Sequence, residues 1–125
     1  MQNILITGCS SGIGLETALI LKKNGVKVYP SARKEDLEKI LENDLKLDAV
    51  FNNAGFGQPG AVEDLSVEVL KEQFETNVFG LHEITIQAMK IFRQQGYGKI
   101  IQHSSVLGII SLKFRGAYNA SKYAI

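Results

Sequence analysis

The stretch that decides the fold is NILITGCSSGIG, residues Asn3 to Gly14. It begins with a short apolar run, Asn3 to Thr7, which is typical of a buried parallel strand. A glycine-rich turn follows, and from Ile13 the apolar residues recur at helical spacing until Lys22-Lys23-Asn24-Gly25 ends the helix. This order predicts a phosphate-binding turn, because glycines let backbone N–H groups approach a ligand and the helix N-terminus adds partial positive charge. The alternative is a tight strand–helix turn without a ligand, and three glycines at one such junction make it the weaker reading.

The rest of the chain alternates between strands and helices. Further strands are predicted at Val26 to Pro30, Leu47 to Phe51 and Lys99 to His103, with Pro30 at a strand end or on a sheet edge. Helices are predicted at Glu35 to Glu42, at Ser66 to Gln95 with a jog near Gly80, and from Tyr118 onward. The alternation predicts an α/β fold, a Rossmann-type doubly wound parallel sheet in three α/β/α layers, as one domain over residues 1–125.

Composition excludes several classes of function. The 125 residues contain 14 basic and 13 acidic side chains without a basic stripe, so nothing points to nucleic acid or a membrane surface. No signal peptide or membrane-spanning run is evident, and Cys9 has no second cysteine to pair with, so we expect a cytoplasmic protein. Cys9 is interpreted as a packing residue rather than a nucleophile. No Cys/His cluster has metal-ligand spacing, so no metal site is predicted.

The end of the second predicted strand bears on the choice of cofactor. A dinucleotide site usually places an acid there to bind the ribose 2′-hydroxyl, but the segment reads Tyr29-Pro30-Ser31-Ala32-Arg33. A guanidinium at Arg33 can bind a 2′-phosphate, whereas an acid would repel it. The segment favours NADP(H) and leaves NAD(H) as the alternative. Arg33 as a solvated strand-end residue is the other interpretation.

Tyr118 and Lys122 lie four residues apart in the last predicted helix, so they share one face. A cation beside a phenol favours the phenolate form, which lets such a Tyr exchange protons near neutrality. On its own, a pair with this spacing usually marks an ordinary helix surface.

Together, these motifs resemble those of the short-chain dehydrogenase/reductase family. The resemblance is carried by Thr7 to Gly14, Asn52-Asn53-Ala54-Gly55, Asn77, Ser105, and Tyr118 with Lys122. The spacing agrees as well, since Ser105 precedes Tyr118 by thirteen residues, which is why Ser105 is preferred over Ser104.

The resemblance implies a hydride transfer between NADP(H) and an alcohol or carbonyl substrate, such as an aldehyde, a ketone or a hydroxysteroid-like compound. It implies that Tyr118 is the catalytic acid/base and that Lys122 favours its phenolate and binds the nicotinamide ribose. Ser105 would bind the substrate oxygen, and Asn77 would hold a water leading toward Lys122. The implied cofactor-binding residues are Gly8, Ser10, Ser11, Gly12, Ile13, Gly14, Arg33, Asn53, Ala54, Gly55, Tyr118 and Lys122.

Other readings of these residues stay open. Asn77 could be solvated on its helix, and the two serines could only close a strand. His103 alternates with Ser105 as a hydrolase pair does, but no Gly-x-Ser-x-Gly elbow surrounds either serine. His103 and His82 are therefore interpreted as packing or surface residues.

The chain also departs from the family. Compared with members of the family, it lacks the third strand between Arg33 and Leu47, and it lacks the C-terminal strands that follow Ile125. We therefore expect a partial sequence whose second and fourth predicted strands are sheet edges. The resemblance implies a homodimer or homotetramer. The alternative function is a catalytically inactive nucleotide-binding or assembly fragment of such an enzyme.

Overall fold

The computed structural model describes residues 2–31 and 46–125 and contains one parallel sheet of four strands. The strands are β1 (Asn3–Thr7), β2 (Lys27–Ser31), β3 (Ala49–Asn52) and β4 (Lys99–Gln102), in the spatial order β2-β1-β3-β4. The chain runs from β1 to β2 on one side and then continues at β3 on the other side of β1. The strand order therefore reverses between β1 and β3, which is where open α/β sheets bind ligands. This confirms the predicted Rossmann-type fold.

The predicted edges of the sheet are confirmed within the described residues. β2 pairs only with β1, in a register that places Pro30 opposite Ile6. Proline lacks an N–H group, and an edge strand tolerates it because one side of the strand needs no partner. β4 forms the other edge through its pairing with β3.

The described helices follow the apolar periodicity of the sequence. They are α1 (Gly12–Lys23), α2 (Val67–Phe74), a π-helix (Glu75–Gly80), α3 (Leu81–Gln95) and α4 (Gly116–Tyr123), with short 3-10 turns at Val62–Asp64 and Val106–Gly108. The jog predicted near Gly80 is the π-helix. The helix predicted at Glu35 to Glu42 lies outside the described residues.

The described chain forms two compact units. The sheet unit comprises the described residues of Met1–Ala54 together with Glu83–Gln102, and the helical unit comprises Gly55–His82 and His103–Ile125. The single domain expected over residues 1–125 stays a prediction.

The hydrophobic core of the sheet unit joins its strands to α3. Leu5 and Val50 contribute fully buried side chains from β1 and β3. On α3, the buried residues Ile84, Ala88 and Ile91 recur every three or four positions. They therefore lie on one face of the helix, which packs in this core. Burying each large aliphatic side chain contributes about 1.5–3 kcal/mol, so this core holds the carboxyl ends of β1 and β3 side by side.

Candidate functional site

The glycine loop leaves β1 at the point where the strand order reverses. Gly8 and Gly12 have φ angles of +70° and +57°, in the left-handed region that other residues rarely adopt. Gly14 is buried, and a side chain there would collide with the backbone carbonyl of Gly8. Gly8 and Gly12 are therefore required by the backbone conformation of the loop, and Gly14 is required by the close approach of α1 to the loop.

The segment after β3 braces this loop. The backbone N–H groups of Asn53 and Ala54 donate to Thr7 Oγ1 at 3.0 and 2.9 Å. The Asn53 side-chain amide donates to the carbonyl oxygens of Thr7 and Gly8 at 3.1 and 3.2 Å. The resemblance implies that Asn53 lines the cofactor, whereas its side chain is placed so that it fixes the loop.

The N-terminus of α1 is open to an anion. Ser10, Ser11, Gly12 and Ile13 are exposed, and the first turn of α1 contains no acidic residue. Among the described residues, Ser11 makes no side-chain capping bond, and no atom lies within 4 Å of the place where a Cβ on Gly12 would be. The first N–H groups of a helix have no partner within it, so the loop fits the pyrophosphate of a dinucleotide.

Of two further residues discussed for this region, the structure describes Cys9 but not Arg33. The Cys9 thiol lies 3.3 Å from the Ile6 carbonyl oxygen, and burial raises the pKa of Cys9. A thiol held in its protonated form is a poor nucleophile, which agrees with the interpretation of Cys9 as a packing residue. Arg33 lies outside the described residues, so its proposed role depends on the sequence.

The helical unit brings Tyr118 and Lys122 together on α4. The Lys122 ammonium lies 5.6 Å from the centroid of the Tyr118 ring and donates to the His103 carbonyl oxygen at 2.8 Å. Lys122 is only 7% exposed, and this burial lowers the pKa of Lys122. The Lys122 ammonium is therefore fixed beside the Tyr118 ring on the same helix.

Asn77 lies in the π-helix and is 1% exposed, which excludes a solvated role. Its Oδ1 accepts from the Phe56 N–H at 3.0 Å, and its Nδ2 donates to the Phe56 carbonyl at 2.9 Å and to Ser121 Oγ at 3.0 Å. Ser121 Oγ donates in turn to the Tyr118 carbonyl at 2.8 Å. Asn77 is thus linked to α4 through Ser121.

Gly55 and Gly57 adjoin these side chains. A Cβ on Gly55 would lie 3.1 Å from Asn77 Oδ1 and 3.9 Å from the Lys122 ammonium. A Cβ on Gly57 would lie 3.4 Å from the Tyr118 ring. The chain therefore passes close beside Asn77, Lys122 and Tyr118, and Gly55 is the one residue of the predicted cofactor set in this segment.

Ser105 caps the 3-10 turn Val106–Gly108, which packs on α4. Its Oγ accepts from the Leu107 N–H at 3.1 Å, and Ser104 Oγ donates to the Lys122 carbonyl at 3.4 Å. A Cβ on Gly108 would lie 2.7 Å from that same carbonyl, so the turn approaches α4 closely. Both serines and Tyr118 belong to the helical unit.

His103 contributes its backbone carbonyl to Lys122, as described above. Burial of the His103 imidazole and the positive charge of Lys122 both lower the pKa of His103.

Gln73 and Ser121 are both fully buried and were not predicted from the sequence. The available signal for Gln73 was its position one helical turn before Asn77, which places two amide side chains on one side of the helix.

The described residues contain neither a metal-ligating cluster nor a membrane-spanning helix. No group of three or more His, Cys, Asp or Glu side chains there could hold a metal ion. No described helix combines the length and apolar character needed to cross a membrane.

Comparison with known proteins gives a family and a set of relatives. The model of the family described as short chain dehydrogenase matches residues 37–125. The protein described as uncharacterized oxidoreductase YbbO from Escherichia coli strain K12 is 39% identical over 151 aligned positions, covering 99% of this chain and 56% of the relative. The chain spans about half the length of the curated relatives it matches. Because 151 positions exceed 125 residues, the relative contains residues within this stretch that the chain lacks.

Two solved structures are similar in fold and were determined with nicotinamide cofactors. A variant of actinorhodin polyketide ketoreductase with NADPH is 29% identical with a TM-score of 0.85, covering 98% of this chain and 60% of that one. An NAD+-bound xylitol dehydrogenase is 26% identical with a TM-score of 0.83 and has the same two coverages. Similar structures therefore carry either cofactor.

Proposed function

Because the chain belongs to the short-chain dehydrogenase family, we propose that it is an oxidoreductase that transfers a hydride between NADP(H) and an alcohol or carbonyl substrate. The observation that carries the proposal is the pairing of Tyr118 with Lys122. The buried Lys122 ammonium lies 5.6 Å from the centroid of the Tyr118 ring. The proposed catalytic residues are Asn77, Ser105, Tyr118 and Lys122.

The proposed chemistry of the protein is proton transfer and charge stabilisation. When bound, the nicotinamide ring supplies or takes the hydride. Tyr118 would give its proton to the substrate oxygen during reduction and take it back during oxidation. Lys122 would stabilise the phenolate that results, and Ser105 would donate a hydrogen bond to the substrate oxygen. Asn77 would hold a water leading toward Lys122, and its bond to Ser121 would keep α4 in place.

The proposed cofactor contacts begin with the glycine loop, where Gly8, Gly12 and Gly14 shape the turn and the exposed N-terminus of α1 faces the phosphates. Lys122 would bind the nicotinamide ribose. Support comes from the fit of the loop to an anion and from the nicotinamide cofactors of the two similar structures.

The test of the function is a reductase assay with the full chain that the gene encodes. NADPH oxidation is followed across a panel of aldehydes, ketones and hydroxysteroid-like carbonyl compounds. We expect Tyr118→Phe to lower kcat by about 10²–10⁴-fold, the usual contribution of a positioned proton donor. Tyr97→Phe is the control, because Tyr97 is exposed in the sheet unit. Wild-type activity in Tyr118→Phe, or NADPH binding with no turnover on any substrate, would contradict the proposal.

The preference for NADP(H) is proposed from Arg33 and from the lack of an acid in Tyr29 to Arg33. Charge-assisted hydrogen bonds contribute about 1.5–3 kcal/mol. We therefore expect Arg33→Ala to raise KM for NADPH by about 10–100-fold, while KM for NADH stays nearly constant. Lys34→Ala is the matched control, with one positive charge removed at the next position. An equal loss for both cofactors would refute the role of Arg33.

A further inference from the structure

The side chain of Gln73 holds the two peptide groups that flank Gly57. Its Oε1 accepts from the Gln58 N–H at 2.8 Å, and its Nε2 donates to the Phe56 carbonyl at 2.8 Å. The Phe56 carbonyl belongs to the peptide group before Gly57, and the Gln58 N–H belongs to the one after it. Gln73 is fully buried, so both bonds are shielded from competing water.

The backbone held in this way runs beside the Tyr118 ring, close enough that a side chain on Gly57 would touch the ring. A Cβ on Gly57 would be 3.4, 3.5 and 3.6 Å from three carbon atoms of the ring, which is ordinary van der Waals contact. Movement of the peptide groups on either side of Gly57 would change the space beside the ring and therefore the range over which the ring can tilt. The freedom of the phenol ring therefore depends on where Gly57 is held.

Asn77 holds only part of the same loop. It bonds the N–H and the carbonyl of Phe56, so the peptide group after Gly57 depends on Gln73 among the side chains described here. Loss of the Gln73 amide would leave the Gln58 N–H without this acceptor and allow the second peptide group to rotate.

We infer that Gln73 is a positioning residue for Tyr118: it fixes the backbone on both sides of Gly57 and thereby the place of the phenol ring. The inference rests on the proposed function and deepens it, since it names a residue needed for proton transfer that does not itself touch substrate. Displacement of a reacting group by about 1 Å can cost about 100-fold in rate.

The chain offers a matched control for this inference. Gln95 makes the same kind of clamp in the sheet unit, where its side-chain amide bonds both the N–H and the carbonyl of Leu47. Gln73→Met and Gln95→Met each remove one amide clamp and keep an unbranched side chain of similar length. Both variants lose hydrogen bonds, but only the first affects the backbone beside Tyr118.

The experiment measures kcat, KM for NADPH and urea unfolding for the full chain that the gene encodes. We expect Gln73→Met to lower kcat by about 10–100-fold with KM for NADPH unchanged, because misplacement affects the chemical step. Gln95→Met should lose stability and keep the kcat of the folded enzyme. A wild-type kcat in folded Gln73→Met, or equal losses of kcat in both variants, would overturn the inference.

A second variant covers the case in which Gln73→Met does not fold. In Gln73→Glu the carboxyl group can donate to the Phe56 carbonyl only when it is protonated. Its kcat relative to wild type should therefore recover as pH falls, and a ratio that is constant with pH would overturn the inference.

A readout without turnover separates this inference from the proposed function. The ring resonances of 13C-labelled Tyr118 should shift or broaden in Gln73→Met and remain as in wild type in Gln95→Met. If the wild-type chain gives no turnover, the proposed function fails and these resonances decide whether Gln73 positions the ring. Unchanged Tyr118 resonances in the folded Gln73 variant would refute the inference in either case.

Discussion

At the scale of the residue, side-chain amides hold backbone in both units. Asn53 fixes the glycine loop in the sheet unit, and Gln73 and Asn77 fix the backbone around Gly57 in the helical unit. Most buried amides are hydrogen-bonded, and an amide can both donate and accept, so it can clamp a peptide chain. Positions near the proposed chemistry are therefore set by hydrogen bonds as well as by apolar packing.

His103 gives a prediction about pH. Burial and Lys122 lower its pKa from the usual 6.5, so in the pH range just below 6.5 the unfolded chain binds a proton that the folded chain does not. The free energy of unfolding should then fall as pH falls from 6.5 through the lowered pKa of the folded state.

The measurement is the urea midpoint as a function of pH for His103→Gln and for His82→Gln, the exposed control. We expect the first variant to have a shallower acid slope than wild type and the second to keep the wild-type slope. Parallel slopes in wild type and His103→Gln would show that this imidazole does not link folding to pH.

At the scale of the element, the junction of β1, the glycine loop and α1 gives a second prediction. In Gly14→Ala the new Cβ would collide with the Gly8 carbonyl, so the helix and loop must separate. We expect a loss of about 1–3 kcal/mol in the free energy of unfolding, as for other overpacked sites. The same displacement should weaken NADPH binding, measured by cofactor fluorescence.

Gly25→Ala is the control at the other end of α1. Unlike Gly14, Gly25 has a positive φ, +79°, and open space surrounds the position of its Cβ. We expect backbone strain of about 1–2 kcal/mol and an unchanged affinity for NADPH. Equal affinities for NADPH in the two glycine variants would argue against the loop as the phosphate site.

The elements could be predicted from the sequence because local pattern determines them. The start of β1 and β4, the jog near Gly80 and the edge position of Pro30 all follow from periodicity and from the chemistry of glycine and proline. Gln73 could not be recognised, because its partners, Phe56 and Gln58, lie fifteen or more residues away and are backbone groups. The spacing of Gln73 and Asn77 indicates only a shared side of the helix and does not reveal these backbone partners.

In the candidate site, too, local features could be predicted from the sequence and long-range contacts could not. The spacing of Tyr118 and Lys122 predicted a shared helix face, and the structure places the two side chains together. The burial of Lys122 and its bond to the His103 carbonyl depend on how the turn at Val106–Gly108 packs on α4. The spacing of residues along a helix does not predict tertiary packing of this kind.

At the scale of the whole molecule, the sheet unit contains the glycine loop and the helical unit contains the proposed catalytic side chains. The chain spans about half the length of its curated relatives, so activity is to be tested in the full chain that the gene encodes. We propose that this chain supplies the proton donor and the cofactor loop of a hydride-transfer enzyme.

The most direct test is transfer of deuterium to an aldehyde or ketone from NADPH that carries deuterium at both C4 positions, detected by mass spectrometry of the alcohol. We expect one deuterium at the carbinol carbon with wild type and a loss of about 10²–10⁴-fold in its rate of appearance with Tyr118→Phe. Tight binding of NADPH without any labelled alcohol, across the whole panel of carbonyl compounds, would contradict the account and support an inactive nucleotide-binding protein.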